Sequence, residues 1–155
     1  MKSALQLLND LSFKEKLLKH PTIDVKYLPV PRFSDKNSNE LTKSIIKFIR
    51  LSGGQAERIG CTGRLISKQY TFVDVIGRYR TIGQNKWIKT SGTRGTADIS
   101  ATYNGLSLKI EVKVKHDRQS PAQVAYQSQV EAAGGLYYVA KDFESFYQWF
   151  NITFK

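Results

Sequence analysis

GTADISATYNGLSLKIEVKVK, running from Gly95 to Lys115, is the stretch whose reading decides the fold. Asp98 opens one predicted strand, and an Asn104-Gly105 turn follows it. The second strand, Leu106–Lys115, alternates almost without fault. Leu106, Leu108, Ile110, Val112 and Val114 face one way, and Ser107, Lys109, Glu111, Lys113 and Lys115 face the other. A strand that regular sets one face on a core and the other on solvent or a cleft. Glu111 and Lys113 share the polar face, and the hairpin brings the Asp98 strand beside them. Two acids and a lysine converging on one point offer oxygen ligands for a hard cation and a positive charge for a phosphate.

Downstream, Ser120-Pro121-Ala122-Gln123 carries an N-cap, a proline at the first helical position and a capping-box Gln. The predicted helix runs to Ala133, with Ala122, Tyr126, Val130 and Ala133 as its apolar side, and stops at Gly134-Gly135. Leu136–Ala140 reads as a short strand and Asp142–Phe150 as a final helix. Upstream, Asn39–Leu51 has an apolar stripe of Leu41, Ile45, Phe48 and Ile49. Gln55–Cys61 reads as a strand. Between Thr62 and Thr90 the pattern is weak, with Tyr70–Ile76 strand-like and Lys86–Lys89 a returning strand. Residues 2–19 read as helical in two pieces, because Ser12 and Glu15 stand at capping-box spacing. Residues 20–38 hold three of the four prolines and read as an extended connection. The order implies a single α/β domain with a mixed central β-sheet flanked by helices at 39–155, preceded by an N-terminal helical extension and linker at 1–38.

A chain of 155 residues is ample for one core, and its 41% hydrophobic content is that of a folded protein. No stretch is long and apolar enough for a transmembrane helix, and the N-terminus lacks a signal peptide's apolar run. The expectation is a cytoplasmic protein with no membrane partner. The lone Cys61 excludes an internal disulfide, and His20 and His116 lie too far apart for a zinc site. Net charge is +11, which favours a polyanionic partner, most often nucleic acid.

Each candidate residue also has a purely structural account. Asp98, Glu111 and Lys113 would make cross-strand ion pairs on an exposed hairpin, each worth at most about 1 kcal/mol. Glu40 gains from the dipole of the helix it starts, and Gln123 is explained by its capping box. The small, basic segment Thr90–Thr96, which includes Arg94, allows a backbone or an arginine near a phosphate; it also reads as a plain loop. Tyr70 to Lys89 interleaves aromatics with Arg78, Arg80, Lys86 and Lys89, which suits a nucleic-acid surface or a solvated face. Arg58, Arg64 and Lys115 are further phosphate-contact candidates. Asp74, inside an apolar run, stands as a substitute acid, and His116 reads as a surface histidine.

Taken in order, Glu40 on an early helix, Gly95-Thr96-Ala97-Asp98, Glu111-Val112-Lys113 and Ser120-Pro121-Ala122-Gln123 resemble the PD-(D/E)XK nuclease superfamily. Within it the pattern is most similar to the VRR-NUC family of small phage and bacterial nucleases. The resemblance covers about Asn39 to Ala140, and Ala97 stands where many members have proline. It implies a restriction-endonuclease-like core and Mg²⁺ or Mn²⁺ held by Asp98, Glu111, the Val112 carbonyl and Glu40. Lys113 would stabilise charge and Gln123 would orient Lys113 or a water, with no small-molecule cofactor. It further implies a metal-dependent DNA endonuclease, homodimeric and acting on Holliday junctions or branched DNA, in a bacterial or phage-infected cell. A sequence-specific or nicking endonuclease acting on duplex DNA, and a non-catalytic nucleic-acid-binding module, remain the alternatives.

Overall fold

The hairpin that opens the sequence argument is the middle of the sheet. The computed structural model describes residues 2–60, 63–88 and 92–155, so Cys61 and Lys89 lie outside the described residues. Two compact units are formed, one by the described residues up to Ile59 together with Gly95–Lys155, the other by Gly60–Arg94.

In the larger unit, β1 (Gln55–Arg58), β6 (Ile99–Tyr103), β7 (Leu106–Val112) and β8 (Leu136–Ala140) form a sheet in the order β1-β6-β7-β8. The first two pairings are antiparallel and β7–β8 is parallel, so the sheet is mixed as expected. Asn104 and Gly105 both have positive φ, 48° and 77°, the combination that suits a tight two-residue hairpin. Their turn fixes the β6–β7 register, Ile99↔Ile110 and Ala101↔Leu108.

One side of the sheet carries Ile99, Ala101, Leu108, Ile110, Val112 and Ala140, all buried. They pack in one core with α1 (Ala4–Lys19), α2 (Ser38–Leu51) and α4 (Phe143–Thr153). Phe48 of α2 is the hub, edge-on to Phe143, Phe146 and Phe150 with ring centroids 5.9, 6.1 and 5.2 Å away. The fourth helix, α3 (Pro121–Ala132), packs on β8, and none of its residues is fully buried. Its expected apolar side is therefore a shallow contact. Among the described residues no helix is long and apolar enough to cross a membrane.

The N-terminal segment is one helix, not two. Ser3 and Gln6 make the capping box, while Ser12 is buried inside the helix. With Ser3 already capping the start, the Ser12–Glu15 spacing is ordinary helical periodicity. Leu8 is fully buried, a placement worth about 1.5–3 kcal/mol, so α1 belongs to the same core as α2 and α4. The connection from α1 to α2 is tied down by Phe33 N–H to Asn9 Oδ1 at 2.8 Å and Ser44 Oγ–H to the Ser34 carbonyl at 2.9 Å. It also holds a short 3₁₀ turn at Val25–Tyr27.

Glu15 of α1 joins the helices electrostatically, bonding Lys19 at 2.8 Å and Lys47 of α2. Bonds from these two ammonium groups hold its carboxyl down at about 2, against 4.5 ordinarily. A depressed acid adds stability above its unfolded value and loses it as pH falls. Glu15→Gln should therefore cost about 0.5–1 kcal/mol at pH 7 and little at pH 2, read by urea denaturation at both values. Equal loss at the two pH values would mean packing rather than charge carries the effect.

In the smaller unit, β2 (Arg64–Ser67) pairs with β5 (Asn85–Ile88), and β3 (Tyr70–Val73) with β4 (Tyr79–Ile82), both antiparallel. Of these, β2 and β4 have no counterpart in the sequence reading. Sequence patterning searches for a buried face, and every residue here is at least partly exposed.

Candidate active site

Side chains on the sheet face opposite the core gather around Glu111. Asp98 immediately precedes β6, one step beyond the Ile99↔Ile110 pair, a register that sets it across from Glu111. Its Oδ2 accepts the Val112 N–H at 2.9 Å, and its carbonyl accepts Ile59 N–H at 2.8 Å. Both contacts lock the carboxylate beside the strand that carries Glu111.

Glu111 has been taken out of water, at 1% exposure. The sequence reading placed its face toward solvent or a cleft, and α3 is what covers it. Oε1 receives Gln123 Nε2 from α3 and Lys113 Nζ at 3.1 Å. Oε2 is buried and has no hydrogen-bond partner among the described residues. Burial first, then the Asp98 charge, pushes the Glu111 carboxyl up, against the pull of Lys113. A buried carboxylate oxygen without a donor costs about 1–3 kcal/mol or more, so the arrangement suits a cation that would complete it.

Lys113 sits between two carboxylates, Glu111 at 3.1 Å and Asp117 at 3.4 Å. Burial pulls its pKa down, but the bonds and charges of Glu111 and Asp117 outweigh it, and the net shift is upward. It is therefore an ammonium at neutral pH, suited to stabilising negative charge and unsuited to taking up a proton. Asp117 was missed from sequence. Its signal is the spacing of four residues from Lys113, and a turn through Lys115 with φ 57° brings it back.

Gln123 does what its capping box requires and more. Its Oε1 accepts Ser120 N–H at 2.8 Å and its N–H bonds Ser120 Oγ at 3.3 Å, while Nε2 donates to Glu111. The cap and a bond to Glu111 coexist in this one side chain. The loop before Asp98 is pressed against the same helix turn. Gly95 has φ +80°, and a Cβ there would stand 2.2 Å from the Ala122 carbonyl oxygen and 2.7 Å from Gln123 N. The close approach to Gly95 thus comes from α3 backbone. Tyr137 of β8, registered with Lys109, is a further neighbour missed by reading β8 as simply apolar. Burial and then the Glu111 charge push its phenol up to about 12.

Glu40 sits in the first turn of α2 and lines a cavity of about 250 Å³ with Arg32, Phe33, Ser34, Lys43 and Ser44. Its Oε2 is likewise buried without a hydrogen-bond partner among the described residues. No contact joins Glu40 to Asp98 or Glu111 among those described, and no group of three or more His, Cys, Asp or Glu there is placed to hold a metal ion. Arg58 ends β1, and Lys115 and His116 are exposed in the turn after β7. Arg64, Arg78, Arg80, Lys86 and Arg94 belong to the Gly60–Arg94 unit, as does Asp74. Asp74 is spent on its own turn, accepting Ile76 N–H, Arg78 N–H and Arg80 Nε. Compared with known proteins, the chain matches no family model and no curated protein.

Proposed function

We propose that this chain is a metal-dependent DNA endonuclease with a restriction-endonuclease-like core, structure-selective for branched DNA and acting as a homodimer. The observation that carries the reading is Glu111: a buried carboxylate with one oxygen held by Gln123 and Lys113 and the other bare, with Asp98 alongside. That donor set is all hard oxygen and fits Mg²⁺ or Mn²⁺. Asp98, Glu111 and the Val112 carbonyl would hold it; Glu40, which no described contact joins to Asp98 or Glu111, would reach it through water. When bound, such an ion neutralises phosphate charge and makes a water nucleophilic near neutral pH.

The chain's own groups have separable tasks. Lys113, kept protonated by two carboxylates, offsets the charge that builds on the phosphate. Gln123 fixes Glu111 so that its second oxygen keeps one direction. Asp98 is held to the Val112 amide and so cannot turn away. The net charge of +11 supplies affinity for the polyanion. A two-fold dimer would place two such sites on opposite strands of a junction.

A second reading is favoured by one observation: most of the acid and lysine atoms already have protein partners, and three acids are not grouped. In it the cluster is structural and the protein is a binding module.

The deciding assay incubates labelled four-way junction, flap, linear duplex and single-stranded DNA with Mg²⁺, Mn²⁺ or EDTA, with Asp98→Asn in parallel. Junction cleavage that requires both the ion and Asp98 is expected. Cleavage confined to linear duplex would replace the junction-resolving role with a sequence-specific or nicking one. Tight binding without cleavage of any substrate would leave the binding module.

A further inference from the structure

The Gly60–Arg94 unit is a two-stranded arm with chemically different faces. It holds two separate two-stranded ladders, Arg64↔Ile88 to Ser67↔Asn85 and Tyr70↔Ile82 to Val73↔Tyr79, whose pairings share one offset across the unpaired positions 68–69 and 83–84. Four pairs in each ladder, eight in all, fall within a span of ten residues on each side, about 30 Å of extended chain. Side chains alternate across each ladder. In the β2–β5 ladder one face holds Arg64, Ile66, Lys86 and Ile88, and the other Leu65, Ser67, Asn85 and Trp87. In the β3–β4 ladder one face holds Tyr70, Phe72, Arg80 and Ile82, the other Thr71, Val73, Tyr79 and Thr81. A 2.9 Å bond between the Thr71 and Thr81 hydroxyls confirms the second assignment. In each ladder the charges sit on one face only.

No described side chain of the arm is fully buried, and Tyr70, Tyr79 and Trp87 are 65%, 82% and 59% exposed. A lone two-stranded ribbon is marginal in water, so this one is shaped to be covered. Charge says by what. The unit carries seven Lys and Arg against Asp74 alone, a net +6 of the chain's +11. Asp74 is engaged in the turn at the end of the ribbon, and its Oδ2 also pairs with Arg80 Nε at 2.8 Å, an exposed ion pair that a phosphate would have to share or displace. A second copy would set two such +6 arms together, whereas a polyanion neutralises them.

We propose that this arm is a DNA-binding β-ribbon that lays its Arg64–Lys86 and Arg80 face into the major groove of a B-form duplex. That groove is about 12 Å wide and admits a two-stranded ribbon, whereas the A-form RNA groove is too narrow. The Tyr70 and Phe72 rings, stacked at 6.1 Å and 14° on the same face as Arg80, give it an apolar surface for base edges between the phosphate contacts. The proposal is independent of the carboxylate cluster and holds whether or not the chain cleaves DNA.

The test is binding of the full chain to fluorescent duplex DNA in EDTA, so that cleavage plays no part, across a salt series. The triple Arg64→Gln, Arg80→Gln, Lys86→Gln should reduce the slope of log affinity against log salt by about 2–3 and weaken binding at least about tenfold. The charge-preserving triple Arg64→Lys, Arg80→Lys, Lys86→Arg should keep the slope. Removal of three exposed lysines from the larger unit, Lys14, Lys141 and Lys155, should cost less affinity. Equal loss in that control, loss in the charge-preserving triple, or tighter binding of duplex RNA would each overturn the proposal. So would a changed sedimentation coefficient with unchanged DNA affinity, which would make the arm a contact between copies.

Discussion

Glu111→Gln is expected to remove metal-dependent cleavage, by on the order of 10³-fold or more, while leaving the metal-free protein at least as stable as its parent. The two halves of this result come from one geometry. Gln has the shape of Glu and can still meet Gln123 and Lys113 through its amide. It does not carry the buried charge that faces Asp98, nor a bare anionic oxygen. Lys113 keeps a second partner in Asp117 at 3.4 Å, so removing the Glu111 charge does not strand it. The folded pKa of Glu111 lies above its ordinary 4.5, so ionisation costs stability at neutral pH and the cost fades as pH falls toward that value. The melting temperature of the variant should therefore equal or exceed the parent's at pH 8, and the difference should shrink near pH 5. Millimolar Mg²⁺ or Mn²⁺ should raise the parent's melting temperature and leave the variant's unchanged. A variant that melts several degrees lower at pH 8 would mark Glu111 as half of a structural ion pair and sink the nuclease reading.

Gly95→Ala is expected to be the most damaging single methyl addition in the larger unit, costing about 2–5 kcal/mol. Two costs add. Placing alanine at φ +80° takes about 1–2 kcal/mol, and forcing a carbon to 2.2 Å from the Ala122 carbonyl takes about 1–3 more as α3 is pushed off. Gly134 separates them, because it has φ +79° and nothing within 4 Å of its missing Cβ. Gly134→Ala should show only the conformational part. Urea midpoints of the two variants, with m-values checked for constancy, measure the difference. Displacing the first turn of α3 also moves Gln123 off Glu111, so Gly95→Ala should lower any cleavage rate beyond its effect on stability. Equal costs at the two glycines would mean the loop and the helix turn are not packed as closely as the geometry has them.

What could be read from the chain follows from how local each signal was. The β7 alternation, the Asn104-Gly105 turn and the Ser120–Gln123 capping box are decided within a few residues by sterics and hydrogen bonding, and they appear where expected, except that the strand stops at Val112, short of the expected Lys115. The start of α1 was not legible in the same way, because two Ser-x-x-Glu/Gln patterns compete and only the continuity of the helix chooses Ser3. Two of the ribbon's four strands, β2 and β4, escaped because a ribbon exposed on both faces has no core to write an apolar alternation. At the site, the shared face of Glu111 and Lys113 was visible from period two. The depth of Glu111 and the Ala122 contact on Gly95 arise from α3 folding back onto the sheet, a non-local event that no spacing encodes, whereas Asp117 is a local partner four residues from Lys113.

Gln123 leaves the protein with a particular kind of dependence. One amide closes the start of α3 and also steadies Glu111, so local secondary structure and site chemistry draw on the same few atoms. That first turn belongs to a helix with no fully buried residue, packed on β8 and against Gly95. The cap of α3 and the setting of Glu111 thus depend on one side chain, and a change at Gln123 reaches both.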